Sequence, residues 1–389
     1  MGRLTRYTTP QIEIGEVVPV IAGNTLNGVT GAPNTQGQFI RGNVVLNQAD
    51  YPELFARIGF IGASAWTPRV SGATDNIFSL TYGNGLYVYG GNFGVLATST
   101  DAITWTSRTS GTTSNILSLT YGNGLYVYVG TFGALSTSTD AITWTPRTSG
   151  TGSSINSVIY ANGLYLYAGF NGLLASSTDA ITWTSRNPGT PFNINTLSYG
   201  NGLYVYGGAF GVIGTSTDAI TWTARTSGAT TSVLTITYGN GLFIYGGTDG
   251  ILGTSTNGIT WTPRTSGALN SINALVYGNG RYVYSAPFGI SATSTNGITW
   301  SFAPGATSTV GTGLPALVYT NGLYVFAGDR EIRTSTDAST LVHADYDINT
   351  QFYVPNYSVG FANPSLFDYV GTTTIQTSNA NYIAYIRAK

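Results

Sequence analysis

The 389-residue chain has no cysteine, one methionine, one histidine (His343) and one lysine (Lys389). Without cysteine there is no disulfide framework and no thiolate metal site, and the redox compartment leaves no trace in the sequence. A lone histidine supplies neither a Ser–His–Asp triad nor a histidine metal site. Charged residues make up only 8% of the chain and the net charge is −1. Phosphate backbones are held mainly by Lys and Arg, so nucleic acid is not an expected partner. No run approaches the roughly 18 apolar residues of a membrane-spanning helix, so membrane insertion is not expected. The opening "MGRLTRYTTPQIEIGEVV" lacks the apolar core of a secretory signal. No cofactor is implied.

What the chain has instead is repetition. Trp66, Trp105, Trp144, Trp183, Trp222, Trp261 and Trp300 are spaced 39 residues apart. "YGNGLYVY" and its variants keep the same beat from Tyr82, Tyr121, Tyr160, Tyr199, Tyr238 and Tyr277, and a last copy at Tyr319 comes three residues late. "STDAITW" begins at Ser99, Ser138, Ser177 and Ser216 and returns as "STNGITW" at Ser255 and Ser294. A period of this length marks a repeat architecture.

One unit reads as four short strands. "IFSLTY" at Ile77 alternates residue types as a half-buried strand does, and the following Asn84-Gly85 suits a type I′ hairpin turn because both residues tolerate positive φ. "LYVYGG" is a second strand, with Leu86 and Val88 on one side and Tyr87 and Tyr89 on the other. "NFG" turns into a third strand, "VLATST", and a fourth follows around Trp105. Four antiparallel strands in about 40 residues make a propeller blade. Trp66 precedes the first full unit without three strands of its own, while the seventh unit carries Leu341 where tryptophan belongs. The sequence therefore predicts an all-β, seven-bladed propeller whose last blade is completed, three plus one, by the strand at Trp66. That closure removes an exposed edge.

The "STDAITW" phrase resembles the Asp-box of BNR/sialidase-type propellers, with one residue fewer between Asp and Trp. The resemblance implies a turn between third and fourth strands, capped by Asp101, Asp140, Asp179, Asp218 and Asp337, with Asn257 and Asn296 as substitutes. Asp and Asn side chains both accept hydrogen bonds from backbone two residues on. Exchange between them preserves a turn but removes a carboxylate base, so the role is structural. Sialidases would bring an arginine cluster and a glutamate-activated tyrosine. Here Arg69, Arg108, Arg147, Arg186, Arg225 and Arg264 sit at equivalent points of separate blades, a pattern for packing or salt bridging. Within the propeller the carboxylates outside the turns are Asp75, Asp249, Asp329 and Glu331, in three blades; paired carboxylates for glycoside hydrolysis have only Asp329 and Glu331 as close neighbours. No enzyme, no catalytic residue and no metal site is expected.

Consecutive antiparallel strands put alternate turns at opposite ends of a sheet. The "YGNG" and "STDAITW" turns thus share one face, nearly constant among copies. The second-to-third-strand turns and the interblade links share the other, where copies differ. Turn tips there read Phe93, Phe132, Asn171, Phe210, Asp249 and Phe288, then Asp329 and Arg330. The links add Asp75, Thr113, Phe192 and Leu269. These phenylalanines either tuck beneath their neighbours or form a docking surface among Ser, Thr, Asn and Gly. The candidate ligand-binding residues on this variable face are Phe93, Phe132, Asn171, Phe192, Phe210, Asp249, Phe288, Asp329 and Arg330.

Outside the repeats, "FIRGNVVLNQADYPELFARIG" (39–59), "TQFYVPNYSVG" (350–360) and the terminal "YIAYIRAK" resemble the tail-collar domain of phage tail-fibre proteins. Tyr51, Leu54, Phe55, Ile58 and Gly59 match its first motif, and Thr350, Phe352, Val354, Pro355 and Asn356 its second; the usual "CDG" reads "RGN" at 41–43. The organisation expected is 1–62 and 343–389 as two halves of a collar-like attachment domain, with the propeller (63–342) inserted. The resemblance implies a phage virion protein, a tail fibre or tail tip, made in the host cytoplasm and carried on the particle. Its flanks would join other virion proteins, and its propeller would bind a host surface glycan or envelope protein without catalysis. Homo-oligomerisation, a trimer first, is expected. The rival reading is a purely structural capsid fibre, decoration or connector protein; a polysaccharide depolymerase is a third.

Overall fold

The computed structural model describes residues 66–268, 270–287, 290–303, 316–336 and 338, together with strand backbone at 17–21, 39–41, 44–47, 351–354 and 382–387. The chain divides into two compact units, Met1–Ser64 with Thr340–Lys389, and Ala65–Ser339. The larger unit consists of seven four-stranded antiparallel sheets, the blades of a propeller. Blade 1 runs Ile77–Gly83, Leu86–Gly91, Leu96–Ser99 and Thr106–Ser107. Blades 2 to 6 repeat this order, their first strands starting at Ile116, Ile155, Ile194, Val233 and Ala274. Blade 7 takes Ala316–Thr320, Leu323–Gly328 and Glu331–Ser335 from the end of the repeats, and Thr67–Val70 from their start.

That closure has a definite register, with Thr334 opposite Thr67 and Glu331 opposite Val70. Trp66 anchors it. The indole is 2% exposed and meets Phe326 edge-on at 4.3 Å and Tyr324 at 6.2 Å. First strands of neighbouring blades touch around the ring, including blade 7 to blade 1, so they form its inner wall.

The strand read as half-buried, Ile77–Gly83, is mixed in burial, with Ile77, Ser79 and Leu80 covered and Phe78, Thr81 and Tyr82 partly open, whereas the second strand is covered almost throughout. Tyr87, Val88 and Tyr89 are all buried. Each blade lies between two others, so both faces of the second strand are covered. The cores accordingly sit between blades: Val88 and Leu96 of blade 1 pack with Ile116, Leu119 and Tyr126 of blade 2.

Polar staples follow the same geometry. In blades 2, 3 and 4 the first tyrosine of the second strand donates its hydroxyl to a carbonyl of the preceding blade: Tyr126 to Gly83, Tyr165 to Gly122 at 2.5 Å, and Tyr204 to Ala161 at 2.7 Å. The second donates to the preceding blade's outgoing link, as Tyr89 does to Ser71 O at 2.9 Å and Tyr128 to Ser110 O at 2.8 Å. Burial pushes the phenols of Tyr126 and Tyr165 up to about 12, which keeps them protonated donors.

In the smaller unit, Val17–Ile21 and Phe39–Arg41 both pair antiparallel with Tyr382–Arg387, and Val44–Asn47 pairs with Gln351–Val354. Segments from the two ends of the chain thus share sheets.

Trp66→Ala deletes the largest side chain of the closing strand. Equilibrium denaturation should show a loss of about 3–5 kcal/mol, the usual cost for a large buried aromatic. A loss below about 1 kcal/mol would mean the closing strand contributes little to the ring.

Candidate functional site

The two faces of the ring are built from different turns. On one, Asp101 Oδ1 accepts hydrogen bonds from the backbone N–H of Ile103 and Thr104, each at 2.8 Å, and from Ser99 Oγ at 2.9 Å. Trp105 Nε1 donates to Ala102 O at 3.2 Å, and the indole lies 5.0 Å from Tyr89. Asp140, Asp179 and Asp218 make the same two backbone bonds. Asn257 and Asn296 reproduce them through Oδ1 at 2.9–3.0 Å. The residue after the cap has positive φ, 59° at Ala102 and 70° at Gly258. The carboxylates serve as hydrogen-bond acceptors within the turn. Donation by the Thr104 and Ile103 amides holds the Asp101 carboxyl below its ordinary range, and the same arrangement brings Asp218 to about 2. Asp337 lies outside the described residues.

The opposite face carries the tips between second and third strands. Asn92–Gly94, Thr131–Gly133, Phe170–Gly172, Ala209–Gly211 and Thr248–Gly250 form one 3-10 turn each. The central residue is left-handed in all five: Phe93 at φ 51°, Phe132 at 57°, Asn171 at 55°, Phe210 at 56° and Asp249 at 58°. Asn and Asp enter this region readily, but a bulky residue there is an outlier. The three phenylalanines are also 70%, 80% and 69% exposed. Of the two arrangements open from sequence, the structure shows the rings out in solvent.

Tips and links form one surface. Phe93 N donates to Asn115 Oδ1 in the following link at 3.0 Å, and Asn171 N to Asn193 Oδ1 at 2.9 Å. Phe192 of the link meets Phe210 of the next tip edge-on at 5.0 Å. Asp75 binds Asn92 Nδ2 and Asn76 N at 2.7 Å each, and these bonds lower its carboxyl. Thr113 borders an open depression of about 580 Å³ that Gly94, Arg108 and Ser110 also line. In blade 7, Asp329 and Arg330 are both left-handed. Phe288 and Leu269 lie outside the described residues.

Sequence reasoning missed two features. Phe170, beside the Asn171 tip, is 45% exposed. Each capped turn on the other face leaves an isoleucine partly open, from 43% at Ile259 and Ile298 to 51% at Ile220. The invariant "STDAIT" and "STNGIT" strings carried that signal.

The arginines do not converge. Arg69, Arg108, Arg147, Arg186, Arg225 and Arg264 each donate Nε to a hydroxyl on the neighbouring third strand, at 2.8–3.0 Å. Among the described residues the salt bridge is Arg333–Glu331, at 3.0 Å. Hydroxyl bonding on the outer strand therefore takes the place of the salt bridging the sequence allowed. The Asp329/Glu331 neighbours do not form a free carboxylate pair, because Glu331 is held by Arg333. No group of three or more His, Cys, Asp or Glu side chains able to hold a metal occurs among the described residues.

No protein-family model matches the sequence, and no curated protein matches it. Solved propellers do match in structure. YCF48 bound to D1 peptide superposes with a TM-score of 0.59 at 14% identity, covering 72% of this chain and 100% of that one. YCF48 from Cyanidioschyzon merolae gives 0.59 at 13%, covering 70% and 99%. The WD40 propeller domain of Doa1 gives 0.58 at 12%, covering 71% and 96%. At such identities the similarity establishes the fold alone.

The depressed carboxyls of Asp101, Asp140, Asp179 and Asp218 fix a sign for acid behaviour. A folded pKa below the unfolded 3.8 stabilises above that value and is lost as pH falls toward about 2. The melting temperature should therefore drop between about pH 4 and 2, and a variant with all four Asp→Asn should show a smaller drop. Equal drops in both proteins would remove the capping carboxylates as its source.

Proposed function

We propose that this chain is a non-enzymatic virion component of a phage tail whose propeller binds a ligand on the host surface through the face bearing the tips and links. The observation that carries the reading is the state of Phe93, Phe132 and Phe210. Each occupies a left-handed turn position at a cost of order 1 kcal/mol or more, and each holds most of its ring in water. The same turn accepts Asn171 and Asp249 in other blades, so its geometry does not require phenylalanine. Strain of this kind concentrates at functional positions, and exposed aromatics surrounded by hydroxyls and amides suit ligand docking. The host surface and the phage tail enter through the collar-like motifs at 39–59 and 350–360 and through the sheets that join the chain's two ends. One propeller neighbour was solved with a bound peptide, so ligand binding has precedent on this fold. Several rings on one particle would add avidity to weak single sites.

The triple variant Phe93→Asn, Phe132→Asn, Phe210→Asn separates binding from folding. Asn fits the left-handed position, so the variant should melt at or above the wild-type temperature. Purified intact protein should block adsorption of virus to its host, and the variant should not. If neither protein blocks at saturation, the receptor reading fails and the structural fibre or connector reading replaces it.

A further inference from the structure

One link on the tip face departs from the repeat. Between blades 3 and 4 the chain reads "NPGTPFN" over 187–193. The two links before it read "TSGTTSN" over 109–115 and "TSGTGSS" over 148–154, and the next reads "TSGATTS" over 226–232. Phe192 therefore stands where Ser114, Ser153 and Thr231 stand elsewhere. Its backbone behaves as serine's does. Phe192 N donates to Thr190 Oγ1 at 3.2 Å, as Ser114 N does to Thr112 Oγ1 and Ser153 N to Thr151 Oγ1 at 3.0 Å each. The turn forms with serine, so it does not call for the ring.

The tip beside Phe192 has changed as well. In blades 1, 2 and 5 a polar side chain joins the link to the first residue of the tip. Asn92 Nδ2 donates to Asp75, Asn115 N to Thr131 Oγ1 at 3.0 Å, and Thr231 Oγ1 to Thr248 O at 3.1 Å. Blade 4 has Ala209 at that place, which keeps its backbone bond to Asn193 O at 2.9 Å but offers no polar side chain. Phe192 instead meets Phe210 edge-on at 5.0 Å, and the two side chains are 43% and 69% exposed. A polar joint has been exchanged for an open aromatic corner.

The corner is held in place without a ligand. Pro188 and Pro191 restrict the link's backbone, Pro188 O accepts the Tyr206 hydroxyl at 2.8 Å, and Gly172 N donates to Phe192 O at 2.9 Å. Asn193 ties both tips, accepting Asn171 N at its Oδ1 and Ala209 N at its carbonyl. Among the described residues, nothing accepts from Asn193 Nδ2 and nothing bonds the Asn171 side chain, so free amide groups border the rings. The 187–193 link and the tips Phe170–Gly172 and Ala209–Gly211 carry no charged residue. Arg186 and Arg225 turn to Ser176 and Thr215 on their third strands.

Two exposed rings at a corner make a platform, not a pocket. Apolar anchors of protein partners gain most when a pocket encloses them, and one laid here would stay half in water. A pyranose is suited to one-sided contact. Its C–H face stacks on an aromatic ring, while its hydroxyls bond amides or keep their water. An anionic sugar would meet no counter-charge at this corner.

We propose that the Phe192–Phe210 corner is the anchoring subsite for a neutral polysaccharide. One pyranose lies on Phe210 with its edge against Phe192 and its hydroxyls toward Asn171 and Asn193. The single rings of Phe132 and Phe93 meet the same chain further along. The inference rests on the binding face argued above and names its anchor and ligand class.

The test immobilises mannan, galactan, dextran and chitin, with polygalacturonate and a leucine-rich peptide as comparisons, and measures retention of the full-length chain. The expected result is retention on at least one neutral polymer, unchanged as salt rises from about 50 to about 500 mM, and little on either comparison. Phe192→Ser should lose affinity about tenfold while melting as the intact protein does, because serine fills the equivalent place in two other links. Phe192→Tyr, which keeps a ring, should retain most of the affinity, and Phe93→Asn should lose less than Phe192→Ser. Absence of retention on all four neutral polymers, equal retention on polygalacturonate, or preference for the peptide would overturn the proposal. So would unchanged binding by a folded Phe192→Ser, or a loss in Phe93→Asn as large as in Phe192→Ser. Failure here with adsorption still blocked by intact protein removes this ligand and leaves the receptor face standing. Retention on a neutral polymer without adsorption blocking keeps the subsite and removes the receptor role.

Discussion

The contact on which the ring depends is the close approach of neighbouring inner strands. Tyr121 of blade 2 lies so near Gly83 of blade 1 that a Cβ built on the glycine falls 2.0 Å from the tyrosine ring. The same relation holds between Gly122 and Tyr160, Gly200 and Tyr238, and Gly239 and Tyr277. A tyrosine thus fills the space left by an absent side chain, and the blades can approach at that height. The phenol donors of the second strands then fall within reach of the preceding blade's carbonyls. With cores placed between blades, no blade completes its own burial, and the sheet at Trp66 must return to close the circle.

This scaffold leaves the two faces with unequal freedom. A capped turn is constrained twice: the Asp or Asn oxygen must reach two amides, and the tryptophan must return to its tyrosine. Six copies with almost the same spelling follow from those demands. A tip turn is constrained mainly by its glycine. Beside it, Phe93, Asn171 and Asp249 occupy equivalent backbone. Variation is therefore permitted where the ring meets solvent at one end and suppressed at the other. Retention of strained, exposed phenylalanine where asparagine fits is a choice the fold does not make.

The fold was legible because its causes are local and repeated. The 39-residue beat, the Asn-Gly turns and the misplaced Trp66 lead to seven blades and to closure of the last by the strand after Trp66. What alternation left open was burial of the second strand, since a period-2 pattern reports residue types and not whether a second sheet covers the other side. Phe93, Phe132 and Phe210 could be assigned to a face, but their exposure depended on packing of the link beside each tip. Phe170 escaped notice because it precedes the tip position, and the exposed isoleucines because the capped turns were read only through their Asp or Asn and their Trp. The arginine spacing was plain, whereas its hydroxyl partners required the pairing of third and fourth strands.

The account's central claim is a division of labour: one face holds the ring together and the other meets the ligand. Hydrogen exchange of the intact protein, free and on host envelope fragments, tests it most directly. The account predicts added protection in the tips and links of blades 1–4, around 92–95, 109–115, 131–134 and 209–212, and none at the capped turns around 99–105 and 138–144. Protection confined to the capped turns and their isoleucines would contradict it and move the binding surface to the opposite face.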